Sequence, residues 1–333
     1  MSSLFNRKDL IYTVYKEKSF SAAAQKLFVS QPSLSVMVKR VEDEVGVPLF
    51  DRTTKPIRLT KAGKEYIKAS EQIFAIEKSF TNYLSSVNNL QGGTLDIGSS
   101  QLLSSVALPK YIFEFSREYP NIHLSVVDAD SRTLANYAMN GSIDMIIDNQ
   151  EMDRDIFTSI PLWNENLVLC VPSQFPINEE YREYQVSRQE IADGKLTSDE
   201  VTPVPLSGFR ETPFVLITKE NDIRNHTEEI FEEESFKPEV LLELDRLETL
   251  YNYVELGMGA SVISDTLILG TNHDYSKVCF YRLAPAAARR VITASYKKNS
   301  YFSPAMNAFL RVITGKEHPV ADTGDAAAES GED

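Results

Sequence analysis

Apolar residues recur at helical spacing through the first 60 residues of the chain. This pattern predicts a first helix over residues 4–18, a short second helix over 22–27, and a third helix that begins at Gln31-Pro32. Proline is tolerated in the first turn of a helix because its missing N–H would have no partner there. One stripe of the third helix is apolar and is expected to be buried: Leu34, Val38, Val41 and Val45.

The opposite face of the third helix begins with small polar residues and continues with cations. The helix-turn-helix motif typically has a short helix, a tight turn and a second helix that begins with small polar residues followed by cations. This second helix, the recognition helix, enters the major groove of DNA. Small side chains let the helix end approach closely, and its free N–H groups suit a phosphate. Residues 48–60 then predict a two-stranded wing. The side chains expected at DNA are Pro32, Ser33, Val36, Lys39, Arg40, Arg52, Lys55 and Arg58.

Residues 62–90 contain no proline and, after Gly63, no glycine. Apolar residues repeat in two heptad series: Tyr66, Ile73, Phe80 and Val87, then Ala69, Ile76, Tyr83 and Leu90. This pattern predicts a long helix that pairs along a seam with a second copy, since DNA-reading heads commonly work as two-fold pairs. The alternative is an amphipathic helix that packs on its own domain. The seam is assigned to Tyr66, Ile73, Ile76, Phe80, Tyr83 and Val87.

Strand-like and helix-like segments alternate beyond residue 92, in two similar rounds over 94–147 and 214–263. Alternation of this kind predicts two α/β subdomains with a cleft, where ligands bind outside the carboxyl ends of the strands. Arg224 would bind a carboxylate if it faced the cleft, with an ion pair to Glu228 as the alternative, and Asp148 would favour a cationic group. We therefore expect a small carboxylate or an amino acid as the effector. The candidate contacts are Ser99, Ser100, Gln101, Asp148, Thr218 and Arg224.

Two segments fall outside this alternation. Residues 179–212 are long and polar, and are interpreted as an insertion that is either a surface excursion, a gate or a subunit contact. The acidic tail over 315–333 is rich in small residues and is expected to be disordered.

Charge is unevenly distributed along the 333 residues: the net charge is −14, but residues 1–61 carry +5 and the remainder −19. Because phosphate attraction is felt locally, a basic head on an acidic body is typical of a nucleic-acid-binding module joined to another domain. The composition, 42% apolar and 25% charged, is that of a globular protein. No apolar run reaches the roughly 18 residues of a membrane helix and no signal peptide is evident, so we expect the cytoplasm.

Sequence patterns for catalysis are missing. The four histidines are scattered without HExxH spacing, and neither a GxxxxGK[ST] phosphate loop nor a GxSxG nucleophile elbow occurs. Cys170 and Cys279 have no CxxC partner and are interpreted as reduced core residues. We therefore expect no enzyme, metal site or cofactor.

Four motifs carry a family resemblance: residues 19–24 (SFSAAA), 29–35 (VSQPSLS), 45–52 (VGVPLFDR) and 59–63 (LTKAG). The chain resembles the LysR-type transcriptional regulators without a gap from about Leu4 to Gly63, and more loosely to about residue 314. The resemblance implies that the DNA-binding set also includes Ser30, Gln31, Ser35 and Thr60. The family usually has a long polar side chain after the position of Ser35, whereas Val36 here can contact a thymine methyl group.

The resemblance also implies a periplasmic-binding-protein-like effector domain, with chain crossings near 167–171 and 276–280. The predicted α/β multidomain architecture has these parts: a winged helix-turn-helix over 1–61, a linker helix over 62–91, an effector-binding domain over 92–314 (subdomain I 92–167 and 277–314, subdomain II 168–276), and the tail. The predicted function is an effector-modulated bacterial transcription regulator that binds double-stranded DNA as a homodimer or homotetramer, with RNA polymerase as a candidate partner and no membrane. The alternatives are a free bilobal solute-binding protein and a bilobal enzyme without a DNA role.

Overall fold

The computed structural model describes residues 4–87, 92–219 and 221–316. The chain forms two compact units: one runs to Leu84 and includes the short segment Met139–Ser142, and the other comprises the remainder. None of the helices in the described ranges combines the length and apolarity that a membrane crossing requires. The predictions for Leu90 and for the tail beyond Lys316 concern residues outside these ranges.

The first unit is a winged helix-turn-helix followed by a long helix, as predicted. Residues 4–7 form a turn, so that the first helix begins at Lys8. Ser19 and Ser30 cap the next two helices, each with a side-chain oxygen that accepts a backbone N–H hydrogen bond. The elements are α1 (Lys8–Glu17), α2 (Phe20–Lys26), α3 (Gln31–Val45), β1 (Phe50–Asp51), β2 (Arg58–Leu59) and α4 (Lys61–Val87).

The head has its own apolar core, into which the predicted stripe of α3 packs. Its fully buried members include Ile11, Val14, Leu34 and Val38. Val45, the last position of the stripe, is only partly buried. Gly63 lets α4 lie against the wing, because a Cβ atom there would stand 2.0 Å from the carbonyl oxygen of Leu49.

Helix α4 is buried at its start and exposed further along. Tyr66 is 6% exposed, stacks on the ring of Phe5 and donates a hydrogen bond of 2.9 Å to the carbonyl of Leu4. It is therefore a core residue of the head rather than a seam residue, because the first turns of α4 close that core. Ile73 is partly buried. The large apolar side chains exposed beyond it are Ile76, Phe80, Tyr83 and Leu84.

The second unit alternates strands and helices, as predicted. Its strands are β3 (Thr94–Ser99), β4 (His123–Asp128), β5 (Met145–Asp148), β6 (Phe157–Pro172), β7 (Gln185–Val186), β8 (Pro213–Ile217), β9 (Glu239–Leu244), β10 (Ser261–Ser264), β11 (Val278–Arg282) and β12 (Arg289–Lys297). Its helices are α5 (Leu108–Glu118), α6 (Ser131–Asn140), α7 (Ile177–Glu180), α8 (Arg188–Ala192), α9 (Asp222–Glu233), α10 (Leu247–Glu255), α11 (Asp265–Gly270) and α12 (Pro304–Thr314). A π-helical turn, Leu103–Ala107, precedes α5.

These strands build two lobes with separate apolar clusters. Lobe I contains the order β4-β3-β5-β12, in which β3 is parallel to both neighbours. Lobe II contains the parallel pair β8-β9 together with β7, β10 and β11. The long strand β6 joins them, because residues 157–166 pair with β12 whereas residues from 167 onward pair with β10 and β11.

The two chain crossings were expected near 167–171 and 276–280. The pairing of β6 changes lobe at Leu167, within the first interval. The return crossing lies beyond residue 282, between β11 and β12, and not near 276–280. Strand β11 still belongs to lobe II, because it pairs with the end of β6 and packs Phe280 and Tyr281 into the lobe II core.

The insertion over 179–212 is part of lobe II and not a surface excursion. It adds β7 beside β11 at the edge of the sheet. Apolar residues spaced through the segment are buried in the lobe II core: Val186, Ile191, Leu196, Val204, Leu206 and Phe209. The insertion thus enlarges the core of the lobe.

Candidate DNA-binding surface and effector cavity

The head of α3 is exposed and carries small polar side chains. Gln31, Pro32 and Ser33 are exposed, whereas Ser35 is partly buried. Gln31 Nε2 donates to Ser35 Oγ at 3.1 Å, and Ser30 Oγ accepts from the backbone N–H of Ser33 at 3.3 Å. The first turn is therefore sterically open, as an approach to the floor of a groove requires.

The start of α2, the head of α3 and the wing enclose a concave surface of about 540 Å³. Among the described residues that line it, Lys18, Arg52 and Lys55 are cations and none is a carboxylate. Gln31 and Ser35 line the same surface. The structure thus brings four predicted DNA contacts together in a positively charged concavity, which suits a phosphate backbone.

Arg52 is held in place by an acidic residue of α3. Its Nη2 atom donates to Glu42 Oε2 at 2.8 Å, and its guanidinium lies 5.1 Å from the ring centre of Phe20. The other oxygen of Glu42 accepts the backbone N–H groups of Leu49 and Phe50, at 2.8 and 3.1 Å. Glu42 therefore fixes both the start of the wing and the direction of the Arg52 side chain. The guanidinium of Arg52 has further N–H donors that can bind a phosphate.

The remaining predicted DNA contacts lie on either side of this concavity. Arg58 is exposed on β2, and three side chains are exposed along the outer face of α3: Val36, Lys39 and Arg40. Thr60 has a different role, because its hydroxyl donates to the carbonyl of Pro48 at 2.7 Å and accepts from the N–H of Gly63 at 3.0 Å. It caps the start of α4.

In the second unit a cavity of about 560 Å³ lies between the lobes. It is located at the carboxyl ends of all five parallel strands, because residues that follow β3, β4, β5, β8 and β9 line it. This is where open α/β sheets bind ligands. The residues concerned are Ser100 and Gln101, Ala129 to Ser131, Asn149, Thr218, and Asp245 with Arg246.

Four of the predicted effector contacts line this cavity: Ser100, Gln101, Asp148 and Thr218. Ser99 does not, because it is fully buried and donates to the carbonyl of Ile147 at 2.8 Å. Arg224 is also outside the lining. Its guanidinium turns back within lobe II and binds Glu228 at 2.6 Å and Glu243 at 2.7 Å, so the ion-pair alternative holds and the role in ligand binding is wrong.

A buried polar network beside the cavity escaped prediction. Glu165 on β6 and Arg290 on β12 are register partners, with side chains only 1% and 3% exposed, and are joined by a hydrogen bond. Arg290 also donates to Asp222 Oδ2 at 2.9 Å, and Ser264 donates to Glu165 Oε1 at 2.5 Å. Since Asp222 and Ser264 belong to lobe II, the network connects the lobes.

Asp148 is a buried carboxylate in the cavity wall. It accepts hydrogen bonds from Ser131 Oγ at 2.8 Å and from the N–H of Asn149 at 2.9 Å, yet burial raises the pKa of its carboxyl above the ordinary value. The side-chain amide of Asn149 donates to Asp222, so Asn149 contacts Asp148 through its backbone and a second carboxylate through its side chain. In the described part of the chain, no three His, Cys, Asp or Glu side chains are grouped so as to hold a metal ion.

Known proteins resemble the chain over both units. The family models described as "Bacterial regulatory helix-turn-helix protein, lysR family" and "LysR substrate binding domain" match residues 5–64 and 88–316. A "Probable RuBisCO transcriptional regulator" of Synechocystis sp. is 26% identical over 91% of this chain and 84% of its own length. The "Uncharacterized HTH-type transcriptional regulator YybE" of Bacillus subtilis is 25% identical over 90% of this chain and 94% of its own.

Solved structures share the fold. Full-length CbnR in complex with its target DNA has a TM-score of 0.64 at 16% identity and covers 93% of this chain and 98% of CbnR. A full-length OxyR variant from Pseudomonas aeruginosa has a TM-score of 0.67 at 20% identity, over 94% and 98% of the two chains. With a helix-turn-helix head, a bilobal α/β body and family models that match both, the chain belongs to the LysR family of DNA-binding transcriptional regulators.

Proposed function

We propose that this regulator reads its operator with the head of α3 and the wing, and that a small molecule bound between the lobes modulates its activity. The cavity at the five strand ends carries this proposal, because it lies within the segment that matches the substrate-binding family model. The proposed domains are the head over 1–61, the linker helix over 62–91 and the effector-binding domain over 92–314.

Within the head, the side chains divide by the part of DNA that they would contact. Gln31, Ser33 and Ser35 would read base edges, because they lie on the open end of the recognition helix. The cations of the wing and of the outer face of α3 would bind phosphates and set position rather than sequence preference.

The effector would contact Ser100, Gln101, Asp148 and Thr218. The expectation of a carboxylate depended on Arg224, which lies outside the cavity, whereas Asp148, which favours a cationic group, lines it. The lining therefore offers Asp148 to a cationic group and does not offer Arg224 to a carboxylate.

For the assembly, we propose a homodimer, or a homotetramer built from it, that forms along the exposed apolar face of α4. Ile76 and Phe80 are 69% and 61% exposed in the single copy. Large apolar side chains exposed in this way are expected where a second copy covers them in the dimer. We further propose a cytoplasmic protein without enzymatic activity, with RNA polymerase as a partner during regulation.

Genomic binding mapped with and without candidate metabolites tests the whole proposal, because operator, targets and ligand response appear together. For the cavity, calorimetry of Ser100→Ala and Thr218→Ala should show about tenfold weaker effector binding, or ~1.4 kcal/mol, with DNA binding retained. Ser207→Ala, on an exposed turn outside the lining, is the matched control. Equal affinity in both cavity variants and in the control would place the ligand elsewhere.

A further inference from the structure

The effector cavity is strongly acidic. Seven carboxylates line it against two guanidinium groups, a formal excess of five negative charges. Both guanidinium groups already have partners: Arg290 binds Glu165 and Asp222, and Arg246 donates at 3.2 Å to Gln101 when the amide oxygen faces it. The lining carboxylates are Asp128, Asp130, Asp148, Glu165, Asp222, Asp245 and Glu248.

Helix starts around a cavity ordinarily attract anions, because their N–H groups and dipoles are positive. Here the chain's own carboxylates occupy these places. Asp130 accepts a backbone N–H at 2.9 Å at the start of α6. Asp222 and Glu248 lie in the first turns of α9 and α10. The positive ends are thus largely neutralised before any ligand arrives.

Two further features point to a specific place for a cation. Asp148 is 2% exposed, and Asn149 hydrogen-bonds both to it and to Asp222, so two carboxylates stand close together in the cavity wall. The attraction between a carboxylate and a cation is stronger where water is excluded.

We propose that the effector is a small organic cation whose protonated nitrogen binds Asp148 and Asp222. This assignment rests on the proposed function, in which the cavity is the effector site. The group of the effector that the protein recognises is then a cation, and not the carboxylate expected from the sequence. A dianion would add like charge to a wall that already has an excess of it.

Putrescine and succinate test the assignment, because they have chains of four carbons with opposite end charges. Calorimetry on the full-length protein should show saturable putrescine binding at least about tenfold tighter than succinate binding. Succinate binding as tight as putrescine, or no saturable putrescine binding, would overturn the assignment. This comparison uses the unaltered protein and so does not depend on any variant folding.

Variants then locate the charge. Asp148→Asn and Asp222→Asn should each weaken putrescine binding about tenfold, whereas Asp199→Asn, an exposed residue outside the cavity, should leave it unchanged. If neither of these variants folds, Asp245→Asn, exposed at the cavity, should weaken binding about threefold. Unchanged affinity in all folded cavity variants would contradict the assignment.

Operator binding measured on the same preparations separates the two proposals. Operator binding persists if only the ligand class is wrong, and it is absent if the regulator function is wrong.

Discussion

Removal of one partner from the buried Glu165–Arg290 pair should destabilise the effector-binding domain by about 3–5 kcal/mol. The magnitude follows from burial: both side chains are 3% exposed or less, so Glu165→Gln leaves Arg290 with only one charged partner, Asp222. Arg290→Met is more severe, because Glu165 then retains only a hydroxyl partner. For a domain of this size the loss corresponds to a fall in Tm of about 6–20 °C.

The double variant Glu165→Leu, Arg290→Met should be less destabilised than the sum of the single losses. Both buried charges are then absent, and the groups left behind keep partners: Ser264 Oγ still accepts the N–H of Thr266, and Asp222 is 28% exposed to water. A double-mutant cycle should therefore give a coupling free energy of about 2 kcal/mol or more.

Scanning calorimetry and far-UV circular dichroism of the full chain measure these differences. The exposed pair Glu151–Arg154, with side chains 74% and 87% exposed, is the matched control. Glu151→Gln should change the stability by less than about 0.5 kcal/mol. The buried pair would not be electrostatically coupled if the stability losses of the single variants summed to that of the double variant. The same would follow if each single loss were as small as that of the exposed control.

Three further outcomes are expected. Ile76→Glu with Phe80→Glu should abolish the dimer in sedimentation, and tight operator binding with it, because charges cannot be buried unpaired on a seam. Arg52→Ala should weaken DNA binding on all sequences and lower the salt slope by about one unit, whereas Gln31→Ala should cost ~1–3 kcal/mol mainly on the operator. Burial raises the pKa of Asp265 to about 6. The folded state then holds this proton more tightly than the unfolded chain, so the free energy of unfolding should fall by about 3 kcal/mol as pH rises from about 3 to 7, and Asp265→Asn should remove that slope.

Each of these outcomes has a control or a contrary result. Gln72→Glu, exposed on α4 but outside the predicted heptad seam, should leave the dimer intact, and a dimer that survives the double charge change would make α4 an intramolecular packing element. An unchanged salt dependence in Arg52→Ala would remove that residue from the phosphate contacts. Identical pH profiles for the wild type and Asp265→Asn would show that Asp265 titrates near its ordinary pKa.

The head could be predicted from sequence because its signals are local. Caps, a turn and the buried stripe of α3 all lie within 30 residues, and the structure has each helix close to the expected place. The heptad argument was less reliable at Tyr66. An apolar repeat shows that a helix face is buried but does not show against what, and the core of the head covers this position.

The cavity was predicted only in part, and the reasons differ by residue. The strand-end rule was applied to β3, β5 and β8, and the same rule at the ends of β4 and β9 would have identified Ser131, Asp245 and Arg246. Arg224 had a visible warning, since Glu228 lies one helical turn away. Glu165 and Arg290 had none, because they are 125 residues apart and meet only through the register of β6 with β12.

Asp222 takes part both in the cavity wall and in the buried network that connects the lobes. It therefore links the cavity physically to the lobe junction. It accepts a hydrogen bond of 2.9 Å from Arg290, which pairs with Glu165 in lobe I, and it also accepts from Asn149 beside Asp148. A cation that binds Asp148 and Asp222 would therefore share a carboxylate with Arg290, and the attraction between the lobes would change with occupancy. Asp148 makes no contact of this kind with lobe II among the described residues. Loss of the Asp148 carboxylate is thus expected to change ligand affinity without changing the coupling between the lobes. Loss of the Asp222 carboxylate is expected to change both.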